Sequence, residues 1–207
     1  DLGAGTGKFT RSLVARGLEV TAVEPDDVMR AALSSALPTV RAVPGTGEEI
    51  PLPDRSVDVV TVAQAWHWMD PARATAEIAR VLRPGGTIAL VWNIRDETVA
   101  WVQRLSEIMG SSEAERFVAG AVEIGAPFGP LETHVVEWSN EIDGESLVSL
   151  VASRSYLITA DEERRTRVLD AVRELVATDP ALAGRERFEL PYKTMVYRAR
   201  LPAAPID

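Results

Sequence analysis

Cysteine is absent from this 207-residue chain. Disulfide bonds, thiolate metal ligands and a cysteine nucleophile are therefore excluded. Histidine occurs only as His67 and His134, far apart and without carboxylates at ligand spacing, so we predict no metal site. No uninterrupted apolar run approaches the roughly 20 residues that span a membrane, and we expect no membrane partner.

Positive charge is also scarce. The chain has 22 Lys and Arg against 31 Asp and Glu, which gives a formal net charge of −9. This excess of negative charge argues against a nucleic-acid partner. Apolar residues make up 46% of the chain, which is too many for a disordered protein. We expect a cytoplasmic protein with one α/β domain over residues 1–207 and leave open whether it is a monomer or a homodimer.

A glycine-rich loop opens the chain, with the sequence Asp1-Leu2-Gly3-Ala4-Gly5-Thr6-Gly7-Lys8. A helix-length segment follows, and then an apolar segment over residues 18–24 that ends on Glu24. Glycines let a backbone approach a ligand closely, and a terminal acid can accept hydrogen bonds from two ribose hydroxyls. The order of these features predicts the first half of a nucleoside-binding βαβ unit.

Buried strands and helix-length segments alternate along the first half of the chain, which predicts right-handed crossovers and a mostly parallel sheet. Asp26 or Asp27 is expected to cap the second helix, and the last two strands are expected to be antiparallel neighbours at the sheet edge. The expected strands span residues 18–24, 39–43, 57–63, 87–92, 133–142 and 188–201, and the expected helices span 8–16, 27–37, 71–82, 99–109, 146–154 and 160–177.

Two features of the opening loop favour a methyl donor over a dinucleotide. Its third glycine, Gly7, comes one position earlier than in the dinucleotide fingerprint. Asp1 would repel a pyrophosphate but suits an ammonium group. S-adenosylmethionine (SAM) carries an ammonium, a carboxylate and a sulfonium and no phosphate, and its carboxylate suits the N-terminus of the helix that begins at Lys8.

Five ordered motifs, at residues 1–7, 23–25, 45–51, 56–60 and 81–86, resemble class I SAM-dependent methyltransferases, in the subgroup similar to ubiquinone/menaquinone-biosynthesis and other small-molecule enzymes. The resemblance implies a doubly wound, mostly parallel, seven-stranded Rossmann-like sheet with an antiparallel edge. It places the cofactor-binding half over 1–93 and the substrate-specificity half over 94–207. Relatives have a strand and helix before the loop, so we expect both to be partly missing here and the cofactor site to be more open.

The resemblance implies SAM as the cofactor and assigns the opening loop to it. Gly3, Gly5 and Gly7, with Ala4 between them, would line the methionine and ribose portions of the donor. Asp1 would organise its amino end.

The same resemblance places the rest of the donor on two further segments. Glu24 would bind the ribose diol, and Pro25 would lie beside the adenine. Thr46, Gly47 and Glu48 would lie on the other side of the adenine. Many relatives have an acid where Thr46 stands, and the threonine hydroxyl is a weaker acceptor for the adenine amino group, so backbone groups of Gly47 and Glu48 could substitute.

An aromatic stretch follows the strand that ends near Ala63, at the sheet edge where ligands collect. Ala63 and Gln64 are candidate cofactor contacts. His67 is the candidate general base, and the alternative is that it only packs between Trp66 and Trp68. One of these tryptophans is expected to fill the core, and the other to wall the substrate pocket.

Three residues of the second half are candidates for the substrate pocket. Arg95 follows a strand end and could pair with an acidic substrate, although an exposed salt bridge or a solvated arginine is the alternative. Arg154 and Tyr156 lie in a segment that similar methyltransferases carry near their pocket, and a structural role is the alternative for both.

Three functions stay open at the level of sequence. The first is a methyltransferase that acts on an O, N or C nucleophile of a small molecule. The second is a protein of the same fold that binds a ligand without catalysis. The third is a NAD-dependent oxidoreductase, which the glycine spacing and Asp1 disfavour.

Overall fold

The computed structural model describes residues 1–110, 120, 122–158 and 160–203, without the side chains of Ser155 and Tyr156. Its strands are β1 (Thr21–Val23), β2 (Arg41–Val43), β3 (Val57–Ala63), β4 (Leu82–Arg95), β5 (Glu132–Ile142) and β6 (Phe188–Arg200). Its helices are α1 (Lys8–Val14), α2 (Asp27–Ala36), α3 (Pro71–Val81), α4 (Ala100–Met109), α5 (Gly144–Ala152), α6 (Ser155–Ile158) and α7 (Glu162–Thr178), with a 3-10 turn over Trp66–Trp68.

The first residues of the chain lie between β1 and β3. Strand β1 pairs with β2 in parallel, with Ala22 opposite Ala42. Leu2 forms an isolated parallel bridge with Val23, and its N–H donates to the carbonyl of Thr61 at 2.8 Å. Leu2 therefore links the β1–β2 pair to the sheet that contains β3.

The remaining four strands form one sheet in the order β3-β4-β6-β5. Strands β3 and β4 are parallel, with Val60 opposite Ile88. The backbone bonds from Leu201 to Gly86 and from Asp96 to Pro191, at 2.8 and 3.0 Å, join opposite ends of β4 and β6. Because the positions run in opposite directions, β6 is antiparallel to β4.

Side chains show the same reversed order between β5 and β6. Glu132 pairs with Arg198, and Glu141 pairs with Arg187. The expected antiparallel edge is therefore confirmed, with β5 as the edge strand and β6 inside the sheet.

Strand β4 is longer than the sequence predicts, because it begins at Leu82 rather than after the glycine pair. Val57 lies opposite Leu82 but Val59 lies opposite Thr87, so β4 bulges between these pairings. Gly85 supplies the left-handed backbone of the bulge, with φ +79°. A bulge absorbs extra residues without ending the strand pairing, which is why these glycines do not break the strand.

Asp26, rather than Asp27, caps α2, because its side chain accepts from the N–H of Met29 at 2.8 Å. Asp70 caps α3 in the same way, and Pro71 occupies the first turn, where its missing N–H costs nothing. Both caps place a helix start directly after a strand or turn of the candidate site.

The chain divides into two compact units. The first unit comprises Asp1–Trp92 with the described residues within 117–134 and 195–207, and the second comprises the described residues within 93–116 and 135–194. The second unit has its own buried core, which includes Trp101, Leu147 and Leu190. The expectation of a single domain over 1–207 stays a prediction. No helix that the described residues form is long and apolar enough to span a membrane.

We predict that Leu33→Ala lowers the free energy of unfolding by about 2–5 kcal/mol, because Leu33 of α2 is fully buried and its truncation leaves a cavity. The matched control is Val28→Ala on the same helix, where the side chain is 79% exposed and the change should be small. Urea denaturation of both variants measures the difference, and equal losses would contradict this placement of the core.

Candidate functional site

Backbone hydrogen bonds attach the glycine loop to β1. The N–H groups of Gly3 and Ala4 both donate to the carbonyl of Val23, at 2.9 and 3.2 Å, and the N–H of Val23 donates to the carbonyl of Asp1 at 2.9 Å. Gly3, Gly5 and Gly7 have φ values of +67°, +56° and +81°. Other residues adopt this left-handed region only with strain, so the loop needs glycine at each position.

The three glycines differ in what surrounds them. A Cβ added at Gly3 would lie 2.5 Å from the Cβ of Ala65, and one at Gly7 would lie 2.8 Å from Cγ of Leu33. A Cβ at Gly5 would meet nothing closer than the sulfur of Met29, at 4.0 Å. Gly3 and Gly7 therefore pack against the protein, and Gly5 leaves space through which a ligand can approach the backbone.

Glu24 lies beside this space, at the end of β1, and is only 6% exposed. One carboxylate oxygen accepts from the N–H of Gly5 at 2.8 Å, and the other accepts from the N–H of Asp26 at 3.0 Å. A carboxylate offers about four lone-pair sites, so each oxygen can still accept a further hydrogen bond. The next residue, Pro25, is exposed.

The carboxylate of Asp1 connects the start of the chain to α1 and β3. It accepts hydrogen bonds from the hydroxyls of Thr10, at 2.6 Å, and Thr61, at 3.2 Å. Thr10 is fully buried, so Asp1 holds the underside of the glycine loop to the body of the first unit.

A second loop follows β2 and includes Thr46, Gly47 and Glu48. Thr46 is exposed, Gly47 is buried and Glu48 is half-buried. The Glu48 carboxylate accepts from the N–H of Asp70 at 2.7 Å. Burial opposes ionisation of Glu48, but the hydrogen bonds from Asp70 and Thr46 and the charge of Arg73 outweigh it, so the pKa of Glu48 lies below its ordinary value of 4.5.

Arg80 of α3 anchors the far end of this loop. Its guanidinium donates to the carbonyls of Ile50 and Leu52, at 2.8 and 2.9 Å, and pairs with Asp54 and Glu77. The hydrogen bond from Arg80 is the main reason that the pKa of Glu77 is lowered. This anchor fixes the loop relative to α3.

The turn after β3 holds the expected aromatic residues, and the structure separates their environments. Trp66 is fully buried, whereas Trp68 is 71% exposed. The expectation that one tryptophan fills the core is met by Trp66, and the expectation that the other walls the substrate pocket stays a prediction for Trp68. The ring of half-buried His67 lies 4.8 Å from that of Trp68.

Gln64 begins this turn in an uncommon conformation. Ala63 ends β3, and the N–H of Gln64 then donates to the carbonyl of Val91 at 2.9 Å. Its φ of +58° is rare for a residue other than glycine, and such strain clusters at functional sites. The exposed Gln64 side chain is thereby directed by a fixed backbone.

Met69 is a contact that the sequence reasoning missed. A Cβ added at Gly47 would lie 2.4 Å from its sulfur, and one added at Gly3 would lie 3.6 Å from its Cε. Met69 therefore packs near both the glycine loop and the second loop. A methionine after a turn carries no motif, so no sequence signal distinguishes it from a core residue.

The candidate acceptor residues belong to the second unit. Arg95 is 6% exposed, and its Nε and one terminal nitrogen donate to Oγ of Ser106, each at 3.3 Å. The expectation that an exposed salt bridge or solvated arginine is its alternative role was wrong, because Arg95 is buried at the end of β4. Arg154 lies between α5 and α6, and its buried Nε has no hydrogen-bond partner among the described residues. The side chain of Tyr156 is outside the described part of the chain.

The sequence profile described as the methyltransferase domain matches residues 1–90. An uncharacterized methyltransferase of Mycobacterium tuberculosis strain H37Rv is 54% identical over 201 residues, which cover 97% of this chain and 82% of that protein. The chain belongs to the SAM-dependent methyltransferase family. Its cofactor is therefore SAM, and its activity is methyl transfer.

Two further comparisons show that the similarity to methyltransferases covers nearly the whole of this chain. A methyltransferase-like protein of Schizosaccharomyces pombe is 36% identical over 203 residues and aligns with 95% of this chain and 79% of its own length. A solved structure from Anaeromyxobacter dehalogenans, provisionally assigned as a type II methyltransferase, superposes with a TM-score of 0.71 at 25% identity. It covers 99% of this chain and 89% of that one. The expected class I fold is confirmed.

Three segments of the methyltransferase meet in the first unit: the glycine loop, the second loop and the turn after β3. The turn contacts the glycine loop through Ala65 and the second loop through Met69. Among the described residues, no group of His, Asp and Glu could hold a metal ion.

We predict that Gly3→Ala destabilises the protein more than Gly5→Ala. Both substitutions impose strain because φ is positive, but only the one at Gly3 brings a Cβ within 2.5 Å of Ala65. Gly17→Ala is the control for strain alone, since φ is +76° there and nothing lies within 4 Å. Denaturant unfolding should rank Gly3→Ala lowest, and equal losses for all three would contradict the close contact.

We predict that acid removes a stabilising effect of Glu48. Because the pKa of Glu48 is lowered on folding, its ionised form stabilises the fold above the unfolded value of 4.5, and this effect is lost as the pH falls through the folded pKa. The stability difference between wild type and Glu48→Gln should shrink below about pH 4.5. Carbon-13 NMR titration of Glu48 provides the direct check, and a midpoint above 4.5 would contradict it.

Proposed function

We propose that this methyltransferase transfers the methyl group of SAM to an O, N or C nucleophile of a small molecule, with the donor held in the first unit. The open space at Gly5 carries the proposal, because the buried Glu24 carboxylate lies against the same N–H. A close approach to backbone and a ribose acceptor are thereby combined in one place.

The glycine loop would hold the methionine and ribose portions of SAM, through Gly3, Ala4, Gly5 and Gly7. Glu24 would accept from the ribose hydroxyls with the lone pairs that remain after its bonds to Gly5 and Asp26. This arrangement leaves the ribose acceptor rigid before the donor binds, which lowers the entropic cost of binding.

The adenine would lie between Pro25 and the second loop. The Glu48 carboxylate is already engaged with the N–H of Asp70, so the contacts to adenine would come from backbone groups of Gly47 and Glu48 and from the hydroxyl of Thr46. Asp1 would act on the amino end by holding the loop, because both its oxygens accept from threonine hydroxyls.

The chemistry needs little from the protein beyond placement. SAM supplies an electrophilic methyl group on a sulfonium, and transfer requires a nucleophile in line with it and the exclusion of water. Ala63 and Gln64 would border the donor at the end of β3. His67 would take the proton of an acceptor that binds protonated. Exposed Trp68 would form the wall beside it, and buried Trp66 would support the turn from the core.

Arg95, Arg154 and Tyr156 stay the residues that we propose for recognition of the acceptor. A buried donor without a partner costs about 1–3 kcal/mol, and within the described part of the chain Nε of Arg154 is such a donor. A carboxylate or another anionic group on the acceptor would satisfy it. Arg95 already donates hydrogen bonds to Ser106. It would therefore more readily position neighbouring groups than bind the acceptor directly.

Calorimetry with SAM, S-adenosylhomocysteine and NAD tests the donor. We expect binding of the first two below millimolar concentration and no binding of NAD, because the third glycine of the loop, Gly7, stands one position earlier than in the dinucleotide pattern. Binding of NAD alone would support the oxidoreductase alternative and overturn the proposal. A tritiated-methyl screen against pooled metabolites then separates catalysis from ligand binding alone.

Glu24→Ala should weaken SAM binding by about 1–3 kcal/mol, because the ribose loses hydrogen bonds to a buried acceptor. Glu24→Gln should lose less, since its amide oxygen still accepts. Glu19→Ala is the control, because Glu19 is an exposed acid that precedes the same strand. Calorimetric titration measures all three, and an unchanged affinity in Glu24→Ala would refute this placement of the ribose.

A further inference from the structure

Met69 occupies a fixed position at the end of the 3-10 turn. Its N–H donates to the carbonyl of Trp66 at 3.1 Å. The next residue, Asp70, caps α3 by accepting from Ala72 and Arg73. The backbone is therefore held on both sides of Met69, so the position of its half-buried side chain is set by the turn and by the start of α3.

The side chain of Met69 occupies the space beside Gly47 that a side chain would need. Gly47 is not among the glycines with positive φ, so its backbone conformation does not require glycine. A Cβ there would lie 2.4 Å from the sulfur of Met69, 3.0 Å from Cγ and 3.3 Å from Cε. The absence of a side chain at Gly47 thus lets Met69 pack directly on the backbone of the second loop, and a side chain there would displace the thioether.

The same methionine reaches the glycine loop. Its terminal Cε would be 3.6 Å from a Cβ at Gly3, which is ordinary van der Waals contact. Ala65 packs on Gly3 from the same turn, and Asp70 binds Glu48 of the second loop. The turn therefore touches both loops, and Met69 is the side chain that lies near each of them.

We propose that Met69 is a positioning residue for the methyl donor, setting the separation between the glycine loop and the second loop. The inference rests on the proposed function, in which these loops hold opposite ends of SAM. A thioether side chain is flexible and polarisable, so it fills an irregular gap between two glycine backbones well. Removal of the side chain would let the loops shift, and the donor would then meet a site of the wrong width.

The experiment compares wild type, Met69→Ala and Met69→Leu by calorimetric titration with S-adenosylhomocysteine. We expect Met69→Ala to bind about tenfold more weakly, which corresponds to about 1.4 kcal/mol. Met69→Leu should recover most of the affinity, because its volume is similar. The control is Met195→Ala, which shortens another half-buried methionine of the first unit, on β6, and should leave the affinity unchanged.

Thermal unfolding without ligand separates positioning from a general loss of stability. Gly47→Ala should lower the unfolding midpoint in wild type but much less in the Met69→Ala background, because the close contact is then absent. Coupling of this kind is expected only between residues in contact.

The outcomes distinguish the two proposals. Failure of wild type to bind S-adenosylhomocysteine would overturn the proposed function and this inference together. Binding by wild type with an equal affinity in Met69→Ala would overturn this inference alone. A loss in Met195→Ala as large as that in Met69→Ala would also overturn it, because the effect would then follow from any methionine truncation.

Discussion

The carboxylate of Glu24 is the interaction on which the candidate site depends. It joins the N–H of Gly5 in the opening loop to the N–H of Asp26 at the start of α2. A buried carboxylate is costly unless it is hydrogen-bonded, so these two bonds make its position stable. They also restrict the loop, the end of β1 and the helix cap to one arrangement. The residue proposed to recognise the ribose is therefore also the residue that builds the site around it.

Close packing against glycine extends this arrangement to the other segments. The side chain of Ala65 packs against Gly3, that of Leu33 packs against Gly7, and that of Met69 packs against Gly47. Each missing side chain lets one segment approach another more closely than any other residue would allow. Gly5 differs, because the space beside it is open. The glycines of one short motif thus serve two purposes, since two of them allow packing and one leaves access to the backbone.

Local patterns in the sequence predict much of this molecule. The apolar run before Ala63 predicts β3 with its observed bounds, and the ordered motifs of residues 1–93 predict a methyltransferase. Local sequence patterns give wrong predictions where contacts between several segments decide the structure. The glycines at 85 and 86 suggest a break, but pairing with β3 and β6 keeps β4 continuous through a bulge. Arg95 looks like a solvated residue after a strand, yet it is buried against Ser106.

The sequence alone determined the family and the place of the glycine loop, because the ordered motifs that carry both are local features of the chain. Only the tertiary structure decided which glycine stands open, which tryptophan is buried and that Met69 reaches both loops. These properties depend on contacts between residues far apart in sequence. Such contacts are set by the packing of whole elements, and no local pattern in the chain records them.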